Sequence, residues 1–187
     1  MPSPAMPGHR FVIVECPGQD LPLGSFTLRN PGATVDLISE PAVEEGGDRM
    51  HPSLVLVKGA PLPALDLLLR QLEKVYDHIE TIERDELRGT WLGRMRIRES
   101  AFAHNKGATI ITSFQHRYRA PWTHLEDGVL YIRARVLDEA HGELMVDQMR
   151  RFFGQAGVEA QVDVQEVSPR DYGVWEDLVQ RAIGLSP

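Results

Sequence analysis

Cysteine is almost missing from this chain of 187 residues: the single thiol, Cys16, excludes an intramolecular disulfide and any all-thiolate zinc cage. Cys16 stands beside Pro17 with no histidine close by in sequence, which reads as an inert thiol rather than a nucleophile. No apolar run approaches the roughly 20 residues needed to span a bilayer, so no membrane partner is expected. The first residues, Met1-Pro2-Ser3-Pro4-Ala5-Met6-Pro7-Gly8, lack a basic region followed by an apolar stretch, so they read as a loose tail over 1–9 rather than a secretory signal. A chain of this size without disulfides is expected in the cytoplasm.

The signatures of common chemistries are missing as well. There is no G-x-x-x-x-G-K-[ST] phosphate loop, no G-x-G-x-x-G after a strand, no H-E-x-x-H and no G-x-S-x-G. The seven histidines are scattered. His104, His116 and His124 are near one another in sequence, but the region has too few carboxylates to complete a metal site. No metal, no cofactor and no catalytic residue is therefore expected. The acid pairs Glu44/Glu45 and Asp85/Glu86 fall in loop-like stretches and read as solvation.

Positive charge is scarce overall, with a net charge of −7, which argues against indiscriminate nucleic-acid binding. It is concentrated, however. Between Thr90 and Arg135 eight basic residues face three acids, a local excess of five, which leaves −12 for the rest of the chain. Six of the 13 aromatic residues (Trp91, Phe102, Phe114, Tyr118, Trp122 and Tyr131) fall in the same stretch.

Periodicity supplies the elements. Alternation and β-rich composition predict strands over 10–15, 25–28, 34–39, 53–58, 81–86, 90–99, 107–119, 128–136 and 158–167. The acidic, glycine-bearing 40–52 reads as a solvated loop, and 120–128 as a loop carrying Trp122 and His124. Leu65, Leu68, Leu69, Leu72, Val75, Tyr76 and Ile79 form the stripe of an amphipathic helix from 62. A second helix runs over 142–155. Ser168-Pro169 opens a third with an N-cap and a first-turn proline.

Residues 53–86 and 127–167 both read strand, turn, helix, strand. The expected fold is therefore α+β: tandem β-α-β units in a ferredoxin-like or ACT-like antiparallel sheet, with helices packed on one face. The expected organisation is a tail over 1–9, N-terminal strands and an acidic loop over 10–52, the core over 53–167, and a C-terminal helix over 168–187. Strand parity places Arg94, Arg96, Arg117, Tyr131 and Arg133 on the sheet face away from the helices; Tyr118 is counted with them as an aromatic of the same basic stretch, and Trp122 and His124 stand on the rim. Arginine presents a planar fork to carboxylate or phosphate and stacks on rings. These eight residues are the candidate site for an anionic or aromatic small molecule. The competing reading is an exposed face whose arginines pair with Glu159, Asp163 and Glu166.

Several short stretches, Pro22-Leu23-Gly24 with Asn30-Pro31, Val75-Tyr76-Asp77, His124-x-Glu126-Asp127-Gly128-Val129 and Glu166-Val167-Ser168, resemble the N-terminal sensory half of bacterio-opsin-activator-like helix-turn-helix regulators. Members of that family follow this half with a DNA-reading helix-turn-helix, whereas this sequence leaves room for one helix. The resemblance implies a stand-alone sensory module, with a separate DNA-binding regulator as its partner. The expected function is thus a non-enzymatic, ligand-responsive regulatory module acting as a homodimer. A small dimeric α/β-barrel-type enzyme, cofactor-independent or haem-using and centred on His116 or His124, is the alternative. Single-stranded nucleic-acid binding is the third reading.

Overall fold

A computed structural model describes residues 9–102 and 122–185. The elements run in the order β1 (His9–Pro17), α1 (Pro22–Arg29), β2 (Thr34–Ser39), β3 (Val43–Glu45), β4 (Asp48–Lys58), α2 (Leu62–Leu72), β5 (His78–Asp85), β6 (Thr90–Arg98) and α3 (Glu99–Phe102). After residue 121 follow β7 (Trp122–Glu126), β8 (Val129–Arg135), α4 (Glu139–Ala156), β9 (Gln161–Val167) and α5 (Pro169–Leu185). None of the described helices is long and apolar enough to cross a membrane.

All nine described strands join one antiparallel sheet in the order β5-β6-β4-β2-β7-β8-β1-β9, with the short β3 added on β4. Outward from the central β2·β7 pair the strands correspond: β4 with β8, β6 with β1, β5 with β9. The connection β4-α2-β5 joins parallel strands with β6 between them, and β8-α4-β9 does the same around β1. The first crossover encloses the strand that follows it, β6, whereas the second encloses β1 from the start of the chain. The sheet is larger than a ferredoxin-like one, and β1 is built into the side formed by β7, β8 and β9. The 10–52 stretch is no separate layer, because β1 and β2 are interior strands of the sheet.

Several local expectations are corrected. The stretch 25–28 is helical: Pro22 opens α1, and Leu23, Phe26 and Thr27 are buried at helical spacing. The stretch 40–52 is not a solvated loop. Gly46 and Gly47, both at positive φ, turn a hairpin of β3 and β4, and Met50, His51 and Pro52 are buried. The helix from 62 ends at Leu72, after which the Asp77 N–H donates to the Arg96 carbonyl and joins the sheet. Trp122 to Glu126 is a strand rather than a loop, closed by Asp127-Gly128 with φ of 49° and 78°. That is the two-residue turn that suits the twist of a hairpin. The strand expected over 107–119, with Arg117, Tyr118 and His116, lies outside the described residues, as does His104.

The helices do not share one face. Val12, Val14, Val35, Leu37, Val55, Val57, Trp91 and Ile132 bury one face under α1, α2 and α4, through Phe26, Leu65, Leu68, Met145, Met149 and Phe153. The opposite face presents Phe11, Ile13, Ile38, Leu54, Leu92 and Trp122, covered by Val174, Trp175, Leu178 and Ala182 of α5. The physical reason lies in the strands. Runs such as Phe11-Val12-Ile13-Val14 and Leu54-Val55-Leu56-Val57 are apolar on both faces, so both faces need cover. The apolar side of α5 packs on the chain's own sheet. Its far end is tied to β5 by Arg181 donating to Glu83 at 2.9 Å.

Candidate functional site

The α5 side of the sheet gathers four of the eight expected residues in one place. Parity on β7 turns Trp122, His124 and Glu126 to this face. On β8 it turns Tyr131 and Arg133 there, and across the ladder Trp122 is paired with Arg133 and His124 with Tyr131. The neighbouring β2 adds a residue that no sequence pattern pointed to. Asp36 lies opposite His124 in the β2·β7 register and is 4% exposed. A lone aspartate in the apolar run Val35-Asp36-Leu37-Ile38 was the available signal, since a buried carboxylate requires partners.

Those partners are present. Asp36 Oδ1 accepts from Trp122 Nε1 at 2.8 Å and from His124 Nδ1 at 2.8 Å. His124 Nε2 is 3.6 Å from a Glu126 oxygen, so carboxylates flank both ring nitrogens. Asp36 thereby fixes the planes of two rings.

Arg133 lies over the Trp122 ring, its guanidinium carbon 4.2 Å from the centroid, with Tyr131 on another side at 5.9 Å. This is the geometry of a cation on an aromatic face. Its Nε is buried with no hydrogen-bond acceptor among the described residues. Burial lowers the Arg133 guanidinium from its ordinary value, against the opposing pull of Asp36 and then Asp171. The Tyr131 phenol is raised, by burial first and then by Glu15. From α5, Trp175 and Tyr172 extend the aromatic surface. Phe11 has its ring 6.0 Å from Trp122 and 5.5 Å from Trp175, and His9 stacks on Tyr172 at 3.4 Å. Trp175 Nε1 is the second buried donor on this face without an acceptor.

The other expected arginines lie elsewhere and are engaged. Arg94 and Arg96 are on β6, four strands from β8, or about 19 Å at the usual strand spacing. Arg94 grips Glu40 through Nε at 2.9 Å and a terminal nitrogen at 3.0 Å, and Glu40 is 5% exposed. Arg96 reaches Glu45 at 3.3 Å, and Arg98 holds Asp77 at 2.6 Å. Arginine pairing is therefore the pattern on β6, though with other acids than those expected. A cavity of about 370 Å³ opens beside these pairs, lined by Glu45, Asp48, Asp77, His78, Arg96 and Arg98. Its arginines already face carboxylates, so it offers a ligand little uncompensated charge. Among the described residues no cluster of three or more His, Cys, Asp or Glu is placed to hold a metal ion.

No family model, no curated protein and no solved structure matches the chain.

Proposed function

We propose that the protein is a non-enzymatic module that binds a small anionic or aromatic molecule at the Arg133 cluster and acts as a sensor. The observation that carries this reading is the guanidinium itself. It is half-buried and laid on Trp122, with no salt bridge to a carboxylate among the described residues and an Nε that lacks an acceptor. A buried donor without a partner costs about 1–3 kcal/mol, and a ligand oxygen would recover that cost. Arg94, Arg96 and Arg98 have no such deficit, since each is matched to an acid. Among the described residues, the same matching neutralises the β6 arginines that a single nucleic-acid strand would use.

The binding reading is favoured over the enzymatic one by His124. An imidazole acting as general base must turn a nitrogen toward a reactant, whereas both nitrogens of His124 face carboxylates, Asp36 and Glu126. The resemblance to sensory halves of transcription regulators points the same way, and a separate DNA-binding regulator and self-association belong to this proposal.

The test is a thermal-shift screen of small carboxylates, phosphates and aromatic molecules against the parent chain and Arg133→Gln. A ligand that binds only the folded state raises the melting point with concentration. Stabilisation of the parent that disappears in Arg133→Gln is the expected result. Stabilisation that persists in the variant would place the site elsewhere.

A further inference from the structure

Resting on that reading, we infer that the ligand is a planar aromatic monocarboxylate, its carboxylate received by Arg133 and its ring held by the surrounding aromatic side chains. Three features of the cluster lead there.

The first is that the uncommitted groups are donors only. Arg133 Nε and Trp175 Nε1 are both buried without acceptors, and neither guanidinium nor indole N–H can accept. They belong to one packed group, linked through Phe11 to Trp122 beneath Arg133. A ligand must therefore bring acceptor atoms, which excludes a simple ammonium in spite of the nearby acids.

The second is charge. Asp36, Asp171 and Glu126 all act on Arg133, and Glu15 and Asp127 act on Tyr131 with Glu126. These carboxylates oppose any anion, and they oppose a doubly charged phosphate more than a monocarboxylate. A planar carboxylate also matches the arginine fork, which a tetrahedral oxyanion does less well when only one arginine is present.

The third is the lining. Trp122 and Tyr131 lie against the cation, and the partly exposed rings of Tyr172 and Trp175 continue the aromatic surface through the buried Phe11, so an incoming ring would meet rings in offset or edge contact, which adds to plain area burial. The cluster is not sealed. Tyr131, Arg133 and His124 are each half-buried, and Glu126 beside them is exposed. A small acid would approach from this partly exposed Glu126 side.

The experiment is isothermal titration of the full chain with four probes: benzoate, cyclohexanecarboxylate, benzamide and inorganic phosphate. Benzoate is expected to bind saturably, and each of the other three at least about ten-fold more weakly. Arg133→Gln should weaken benzoate at least about ten-fold, and Trp175→Phe, which keeps a ring but removes the N–H, should weaken it several-fold. Arg133→Lys is titrated in parallel. It keeps the charge on Trp122, and so the packing, but loses the fork, and it too should lose benzoate. If phosphate binds as tightly as benzoate and both depend on Arg133, the anion-binding reading stands and the aromatic monocarboxylate is wrong. Equal binding of cyclohexanecarboxylate likewise overturns the aromatic requirement alone. If no probe binds, or if benzoate binds the Arg133 variants as it binds the parent, both the ligand class and the site are wrong.

Discussion

Glu40 is buried and, among the described residues, paired with one cation, so the fate of that carboxylate decides what Arg94 contributes. With Arg94 removed, Glu40 is left buried and unpaired, a situation that costs about 3–5 kcal/mol. Arg94→Ala should therefore lower stability by about 3 kcal/mol in urea unfolding. Arg96→Ala, which breaks a pair exposed on both sides, should change it by less than about 1 kcal/mol. Equal effects would show that the Glu40 pair is screened like a surface one. Strand parity put both arginines on the same face and could not separate them, because it reports direction and not burial. Cys16 offers a second residue-level test. Burial, and then Glu15, push its thiol from 9.0 up to about 11. Above pH 9.0 the unfolded chain releases this proton while the native thiol retains it, so the raised value favours unfolding as pH rises. The Cys16 contribution is fully present below about 9 and declines toward about 11, by at most about 1.4 kcal/mol per pH unit. Subtracting the stability–pH curve of Cys16→Ala should isolate that decline. Parallel curves would mean that the thiol is not sequestered.

At the scale of elements, close approach sets the limits. Helix α1 sits so near the turn after β1 that a Cβ on Gly24 would lie 1.9 Å from the Gly18 carbonyl oxygen, which already accepts from the Leu21 N–H. Gly24→Ala must displace either the turn or the helix, and overpacking of this kind costs about 1–3 kcal/mol. A urea midpoint unchanged from the parent would show that α1 shifts freely. The same element explains why 25–28 misled a reading by composition. Ser25-Phe26-Thr27-Leu28 is β-prone in type, but the proline at 22 and the contacts of Phe26 and Thr27 settle it as helix. In β7 the signal was present and local: Asp127-Gly128 between apolar-alternating stretches is the mark of a two-residue hairpin, so Trp122 and His124 belonged on a strand. α5 was legible from Ser168 onward, and the Asp171 N–H donates to the Ser168 hydroxyl at 3.1 Å as a cap should.

The whole molecule is tied together by its first strand and by the central pair of its sheet. β1, from the start of the chain, stands between β8 and β9, and β2 pairs with β7, so the later strands cannot form their side of the sheet without the earlier chain. Calorimetry should therefore show one transition, with calorimetric and van't Hoff enthalpies equal. Two resolved transitions would mean that the halves fold independently. The sequence by itself determined the α+β class, both strand–helix–strand segments and the outward parity of Tyr131, Arg133 and the β6 arginines, because these follow from periods of 2 and 3.6 that neighbouring residues impose on one another. It also held the two-sided apolar runs that call for cover on both faces. Which strands lie side by side was decided only by the tertiary structure, since strand pairing joins residues as distant as Phe11 and Arg135 and leaves no trace in local period. For the same reason tertiary structure alone brought Asp36 to Trp122 and His124, gave Arg94 to Glu40, and left Arg133 stacked on an indole with a donor to spare.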